Sequence, residues 1–191
     1  MKFTQIPVDA FSTMQLNAGV MLTDFDVSAG SFDNEDMLGA TTGGVSASAV
    51  PSFSDMGDGI DNAPVNVLEM KKIDSWECSI SGTLLTTTPE TTALLMGAAD
   101  VSGDKITPRK DLKKADFKDI WWVGDYSDVN TGATAGYVAI HVMNALSTGG
   151  FSLQSNDKGK GNFAFNFVGH VSIDAQDVVP FEVYVHKGVG A

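Results

Sequence analysis

Period-two alternation across residues 137–186 constrains this chain more than any other feature. Phe163, Phe165, Phe167, Val171 and Ile173 share one parity, and Asn162, Asn166, His170 and Ser172 share the other. Successive side chains of a strand point to opposite faces, so the first set predicts an apolar sheet face and the second a polar one. The NDKGKG turn before them predicts a hairpin of Phe151–Ser155 with Asn162–Ile173. Phe181, Val183 and Val185 repeat the alternation against Glu182, Tyr184 and His186. The polar face carries Asn, Ser and Gly where a catalyst needs acid–base groups, which points to a structural or binding role.

The rest of the chain reads the same way. Met14, Leu16, Ala18, Val20 and Leu22 alternate with Gln15, Asn17, Gly19, Met21 and Thr23 and predict a first strand. GGVSASAVPSF predicts a second, with Pro51 at an edge or a strand end because it cannot donate to a ladder. Ser75–Thr87 predicts a strand with Trp76, Cys78, Ile80 and Leu84 on one face, and Tyr137–Leu146 another. Residues 54–73 carry glycines, acids and a proline and read as a projecting loop or hairpin, since long structureless loops are uncommon in compact domains. DNEDML reads as one helical turn. The best helix is Pro89–Met96, with Thr88 as N-cap, Pro89 at the first position, Glu90 at the positive end of the dipole and Gly97 closing it. Residues 1–12, with Pro7, read as an arm. Strand runs with one short helix predict a single mainly β domain over 1–191, a β-sandwich or barrel with a flanking helix at about 88–97.

Charge narrows the partners. The chain of 191 residues carries a net −12, which resists adhesion to nucleic acid, because binding phosphates normally requires Lys and Arg. Half of the basic residues lie between Lys105 and Lys118, including the only arginine, Arg109. A short basic patch against an acidic remainder suits self-association as well as a foreign partner, and a solvated face is the plain alternative. The single Cys78 excludes an internal disulfide framework and reads as a core thiol. The N-terminal residues lack the apolar run of a signal peptide, and no stretch approaches the length of a membrane span, so a cytoplasmic origin is expected.

Chemical motifs are sparse. His141, His170 and His186 lie in predicted strands without HxH or HExxH spacing. There is no nucleophile elbow and no phosphate-binding loop, and no cofactor is expected. Asp55, Asp58 and Asp61 loosely resemble a calcium loop but lack the EF-hand spacing and its terminal Glu, so a turn-rich acidic loop is the reading and no metal is expected. KGNFAFNF resembles an RNA-recognition motif, but Asn162 breaks its register and the alternating phenylalanines read as a core face. Trp121 and Trp122 point to opposite faces of a strand, so one enters the core and the other meets solvent or a neighbour.

Taken together, VDAFSTMQLNAGVMLTDF, LGATTGG, FSDMGDGIDNAP, LEMKKIDSWECSISGTLLT, LLMGAADV, KITPRKDL, DFKDIWWVGDYSD and ALSTGGFSLQSNDKGKGNFAFNFVGHVSIDAQDVVPFEVYV closely resemble the major tail (tail tube) protein of long-tailed phages with non-contractile tails. The resemblance runs from about Val8 to Val185, with the blocks in order. It implies a β-sandwich or barrel whose copies close into rings of six that stack into a hollow tube. Such a tube forms in the host cytoplasm around a tape-measure protein, meets tail-tip and terminator proteins, and conducts double-stranded DNA without binding its sequence. It implies ring-stacking contacts from the long loop and the arm, here Asp55, Asp58, Ile60, Asp61, Asn62, Val65, Pro7 and Phe11. Candidates to face the lumen are Gln15, Asn17, Thr23, Asp24 and Asn144, on the polar faces of the first strand and of Tyr137–Leu146. Two other readings compete: a β-sandwich that binds carbohydrate on a cell surface, with Trp122 as platform, and a metal-dependent hydrolase built on the acids of residues 55–61.

Overall fold

A computed structural model describes residues 5–8, 10, 13–126 and 135–188. In chain order the strands are β1 (Gln15–Leu22), β2 (Met37–Gly39), β3 (Thr41–Asp55) and β4 (Lys71–Leu84), then the helix α1 (Pro89–Met96). After it come β5 (Ala99–Ser102), β6 (Lys105–Pro108), β7 (Lys118–Tyr126), β8 (Tyr137–Ser147), β9 (Leu153–Gln154), β10 (Asn162–Val168) and β11 (Phe181–His186). All pairings are antiparallel. One layer runs β2-β1-β7-β8, with β11 on the far side of β8; the other runs β10-β4-β3, with β9 on β10. The layers join where the end of β8 meets β10, at Leu146–Val168 and Ser147–Phe167. The sheets do not close on themselves, so the fold is a β-sandwich and not a barrel.

The core follows from the alternation. Met21, Ile120, Trp122 and Val142 of the first layer face Ile80, Leu84, Phe165 and Phe167 of the second. Fully burying side chains of this size contributes about 1.5–3 kcal/mol each. Helix α1 adds Leu95 to this core and is tied on by Ser147 Oγ, which donates to the Leu95 carbonyl at 2.7 Å. Its ends are those the sequence predicts: Thr88 Oγ1 accepts from the Thr91 amide at 3.1 Å, and Gly97 takes a φ of 77°. Cys78 lies in the interior, and burial pushes its thiol pKa up.

A second apolar cluster lies on the outer face of the first layer. Leu22, Trp121 and Ala139 are covered there by Phe25, with Val27 and Tyr184 alongside. Trp121 is stacked on His141 at 3.8 Å, and both ring nitrogens of His141 lie 3.3 Å from carboxylates, those of Asp119 and Glu182. Of the two alternatives expected for the second tryptophan, solvent or a neighbour, the structure shows a neighbour within the chain. Trp121 and Trp122 do face opposite ways, but both are buried within the chain, and Trp122 Nε1 donates to the Ala18 carbonyl at 2.8 Å.

Other expectations shift. β10 ends at Val168, so Val171 and Ile173 lie beyond the sheet and are exposed, unlike Phe165 and Phe167. In β11 Phe181 packs against the inner core as its parity predicts, but further along the polar parity is the one that packs: Glu182 meets His141, Tyr184 meets Trp121 and His186 stacks on Tyr137, while Val183 and Val185 face out. β1 is not a simple two-faced strand. Asn17 and Gly19 take positive φ, the register with β7 slips between Leu16 and Val20, and Met21 and Leu22 are both buried on opposite faces. Gly19 is required there, since a Cβ would sit 2.6 Å from the Trp122 ring. DNEDML divides into a single 3-10 turn, Asn34–Asp36, and the start of β2.

Candidate self-assembly surfaces

The predicted loop at 54–73 is the end of a long β-hairpin. β3 and β4 stay paired out to Asp55–Lys71, so only residues 56–70 form the tip. β10 shields β4 only from Ser79 to Leu84. Beyond that the two strands run on alone, and residues 71–77 of β4 are all exposed. This arm is amphipathic. Ser48 bonds Ser79 at 3.0 Å and Ser52 bonds Ser75 at 2.8 Å on one face. Ala47–Ile80, Ala49–Cys78, Pro51–Trp76 and Phe53–Ile73 follow one another on the other. Ile80 and Cys78 belong to the buried core, whereas Trp76, Ile73 and Phe53 are 38%, 46% and 60% exposed. The apolar stripe of the core therefore continues onto a ribbon whose apolar side chains are left partly exposed among the described residues. An isolated two-stranded ribbon is at best marginally stable in water.

Asp55 organises the tip. Its carboxylate accepts from the Gly57 amide at 3.0 Å and the Asn66 amide at 3.1 Å, and Lys71 Nζ lies 3.6 Å away. The Gly57 bond, with Asn66 and Lys71 adding to it, holds the Asp55 carboxyl below the usual aspartate range. Asn62 sits in a left-handed turn with a φ of 63°. Asp58, Ile60, Asp61 and Val65 are exposed, and so are Met56 and Leu68, which the sequence reading did not single out. Thus the arm gathers six of the predicted stacking residues, with Asp55 employed internally. Pro7 is exposed in a turn whose carbonyl accepts from the Ala10 amide at 3.2 Å, and Phe11 lies outside the described residues.

The predicted lumen residues do not share one wet face. Gln15 and Asn17 pair with Tyr126 and the neighbourhood of Asp125, and Asn17 Nδ2 donates to Asp125 at 2.7 Å. Asn17 borders a cleft of about 570 Å³ between β1, the 25–32 segment and Tyr137. Thr23 is half-buried and bonded to the Asp36 carbonyl, while Asp24 is exposed and accepts from the Phe25 amide at 2.9 Å. Asn144 is half-buried with a φ of 46°, and its side chain donates to the His170 carbonyl at 3.2 Å. β8 is covered on both faces, so it offers no polar face of the kind expected.

In the large sheet β2, β3, β9 and β11 each pair on one side only among the described residues. β3 presents the longest of these, fifteen residues rich in Gly, Ser and Ala, and Pro51 sits on it as an edge strand requires. Unprotected edges of this length template pairing with another chain.

Among the described residues no group of three or more His, Cys, Asp or Glu side chains is placed to hold a metal ion. Among them, no helix is long and apolar enough to cross a membrane. His141 has carboxylates at both nitrogens and Trp121 on its face, an arrangement that ties β7, β8 and β11 together. No protein-family model matches the chain, and no curated protein matches it at a significant level.

Proposed function

We propose that this chain is a structural subunit of a phage tail tube. Copies close into rings of six through their open strand edges, and rings stack through the projecting arms. The tube surrounds a tape-measure protein, is finished by tail-tip and terminator proteins, and passes double-stranded DNA at ejection. The observation that carries this reading is the β3–β4 arm, an extension of the core's apolar stripe on which Phe53, Ile73 and Trp76 stay exposed among the described residues. A surface of this kind marks a protein–protein contact, and a ring built from heterologous contacts needs a second, axial contact to become a tube. The net charge of −12 supports the same reading, because an acidic wall lets DNA slide without adhering.

The carbohydrate-binding alternative loses its platform, since Trp122 is buried with its indole N–H engaged. The hydrolase alternative loses one of its acids, since Asp55 is engaged by the tip backbone. Negative-stain microscopy and sedimentation of the purified chain across a concentration series test the proposal. Rings or tubes are expected; a monomer at every concentration would refute it.

A further inference from the structure

The tip of the arm is acidic as well as apolar. Residues 55–70 hold Asp55, Asp58, Asp61 and Glu69 and no base, among exposed Met56, Ile60, Val65 and Leu68. One segment of the chain has the opposite character. Residues 105–118 hold six bases against Asp111 and Asp116, with Leu112 57% exposed in their midst. Arg109 is engaged by Asp116 and Asp100, and Lys113 by Asp100, which fixes the segment to the body. Lys110 and Lys114 stand exposed beside Leu112, and Lys114 Nζ lies 4.0 Å from Asp174.

The two regions lie apart along the hairpin. The basic segment leaves the body next to the end of α1, where the Arg109 amide donates to the Ala98 carbonyl at 2.9 Å. That end of the helix is held by Ser147, which pairs with Phe167, which in turn pairs with Ile80. From Ile80 to Lys71, where the tip begins, are nine strand residues, about 30 Å at the usual rise. Within one copy the acidic tip and the basic segment are therefore held apart by a paired ribbon.

We infer that the arm tip docks onto the Lys110–Lys114 segment of a second copy. Ile60 and Leu68 would cover Leu112, and Asp58 and Asp61 would meet Lys110 and Lys114. The inference rests on the tail-tube reading and deepens it by naming the surface that receives the arm. The contact is heterologous, so each docked copy leaves one tip and one basic segment free, and the stack extends. Complementary charge of this sort sets register and suppresses the inverted contact, in which tip would face tip.

Charge exchange tests it. Asp58→Lys/Asp61→Lys and Lys110→Glu/Lys114→Glu alter exposed side chains only, so both variants should melt as the wild type does. Each alone should raise the concentration needed for assembly about tenfold or more. An equimolar mixture should assemble near the wild-type concentration, because each reversed tip finds a reversed segment and each native tip a native one. Wild-type assembly should also weaken severalfold between about 0.05 M and about 0.5 M salt. If the wild type forms tubes and either variant does so at the same concentration, or the mixture fails as its components do, the docking is wrong and the tube reading stands. If the wild type never assembles, both fall.

Discussion

The arm's apolar face gives the most quantitative prediction. Phe53 and Ile73 are directly paired, 60% and 46% exposed, and lie beyond the reach of β10. Full burial of such side chains is worth about 1.5–3 kcal/mol each. Covering the exposed fractions of both on docking then contributes about 2–3 kcal/mol, or about 30- to 150-fold in affinity. Replacing both with serine should raise the critical concentration for tube formation by that factor, measured by pelleting across a dilution series. Urea unfolding of the dilute subunit should change by no more than about 0.5 kcal/mol per site, as for other exposed positions. Two results would refute the reasoning. An unchanged critical concentration would mean that nothing covers the stripe in the assembly. A large loss of subunit stability would mean that the stripe is already packed within one copy.

Further predictions concern the subunit and the tip. Phe167→Ala should cost about 3–5 kcal/mol in urea unfolding, while Ile173→Ala, at 82% exposure, should cost less than about 0.5, although the two share a parity. Replacing residues 57–69 with a short turn between Met56 and Met70, whose backbones are 2.8 Å apart, should leave a cooperatively melting subunit that forms no long tubes by electron microscopy. The Tyr184 hydroxyl, with His141 adding to it, holds the Glu182 carboxyl below the usual glutamate range. A lowered folded-state pKa gives stability that is present above the unfolded value and lost as pH falls through the folded one. Glu182→Gln should therefore melt below the wild type at neutral pH, with the difference closing as the carboxylate protonates in acid.

The elements that were legible in the sequence are those whose signals are local. Thr88, Pro89 and Gly97 fix α1 by backbone chemistry within one turn at each end, and the helix forms where they place it. The alternating phenylalanines mark a core face because both sides of that strand are decided by its own residues. What failed was the choice of which face another segment covers. Val183 and Val185 look like the core side of β11, yet Phe25 and Trp121 build a second apolar cluster on the opposite side, where Glu182, Tyr184 and His186 pack. Nothing within β11 announces Phe25, which is distant in the chain. The arm was half legible. Glycines and acids marked its tip, but Lys71, Lys72 and Ile73 look like loop residues until their partners Asp55, Ser54 and Phe53 extend the ladder. The two faces of β1 were not legible because Asn17 and Gly19 bulge the strand and reset its parity.

A three-dimensional map of the assembled protein by electron cryomicroscopy tests the central claim most directly. Six copies per ring, joined edge to edge, with every β3–β4 arm lying across a copy in the next ring, is the predicted result. Single subunits or closed dimers with the arm folded against its own body would contradict it.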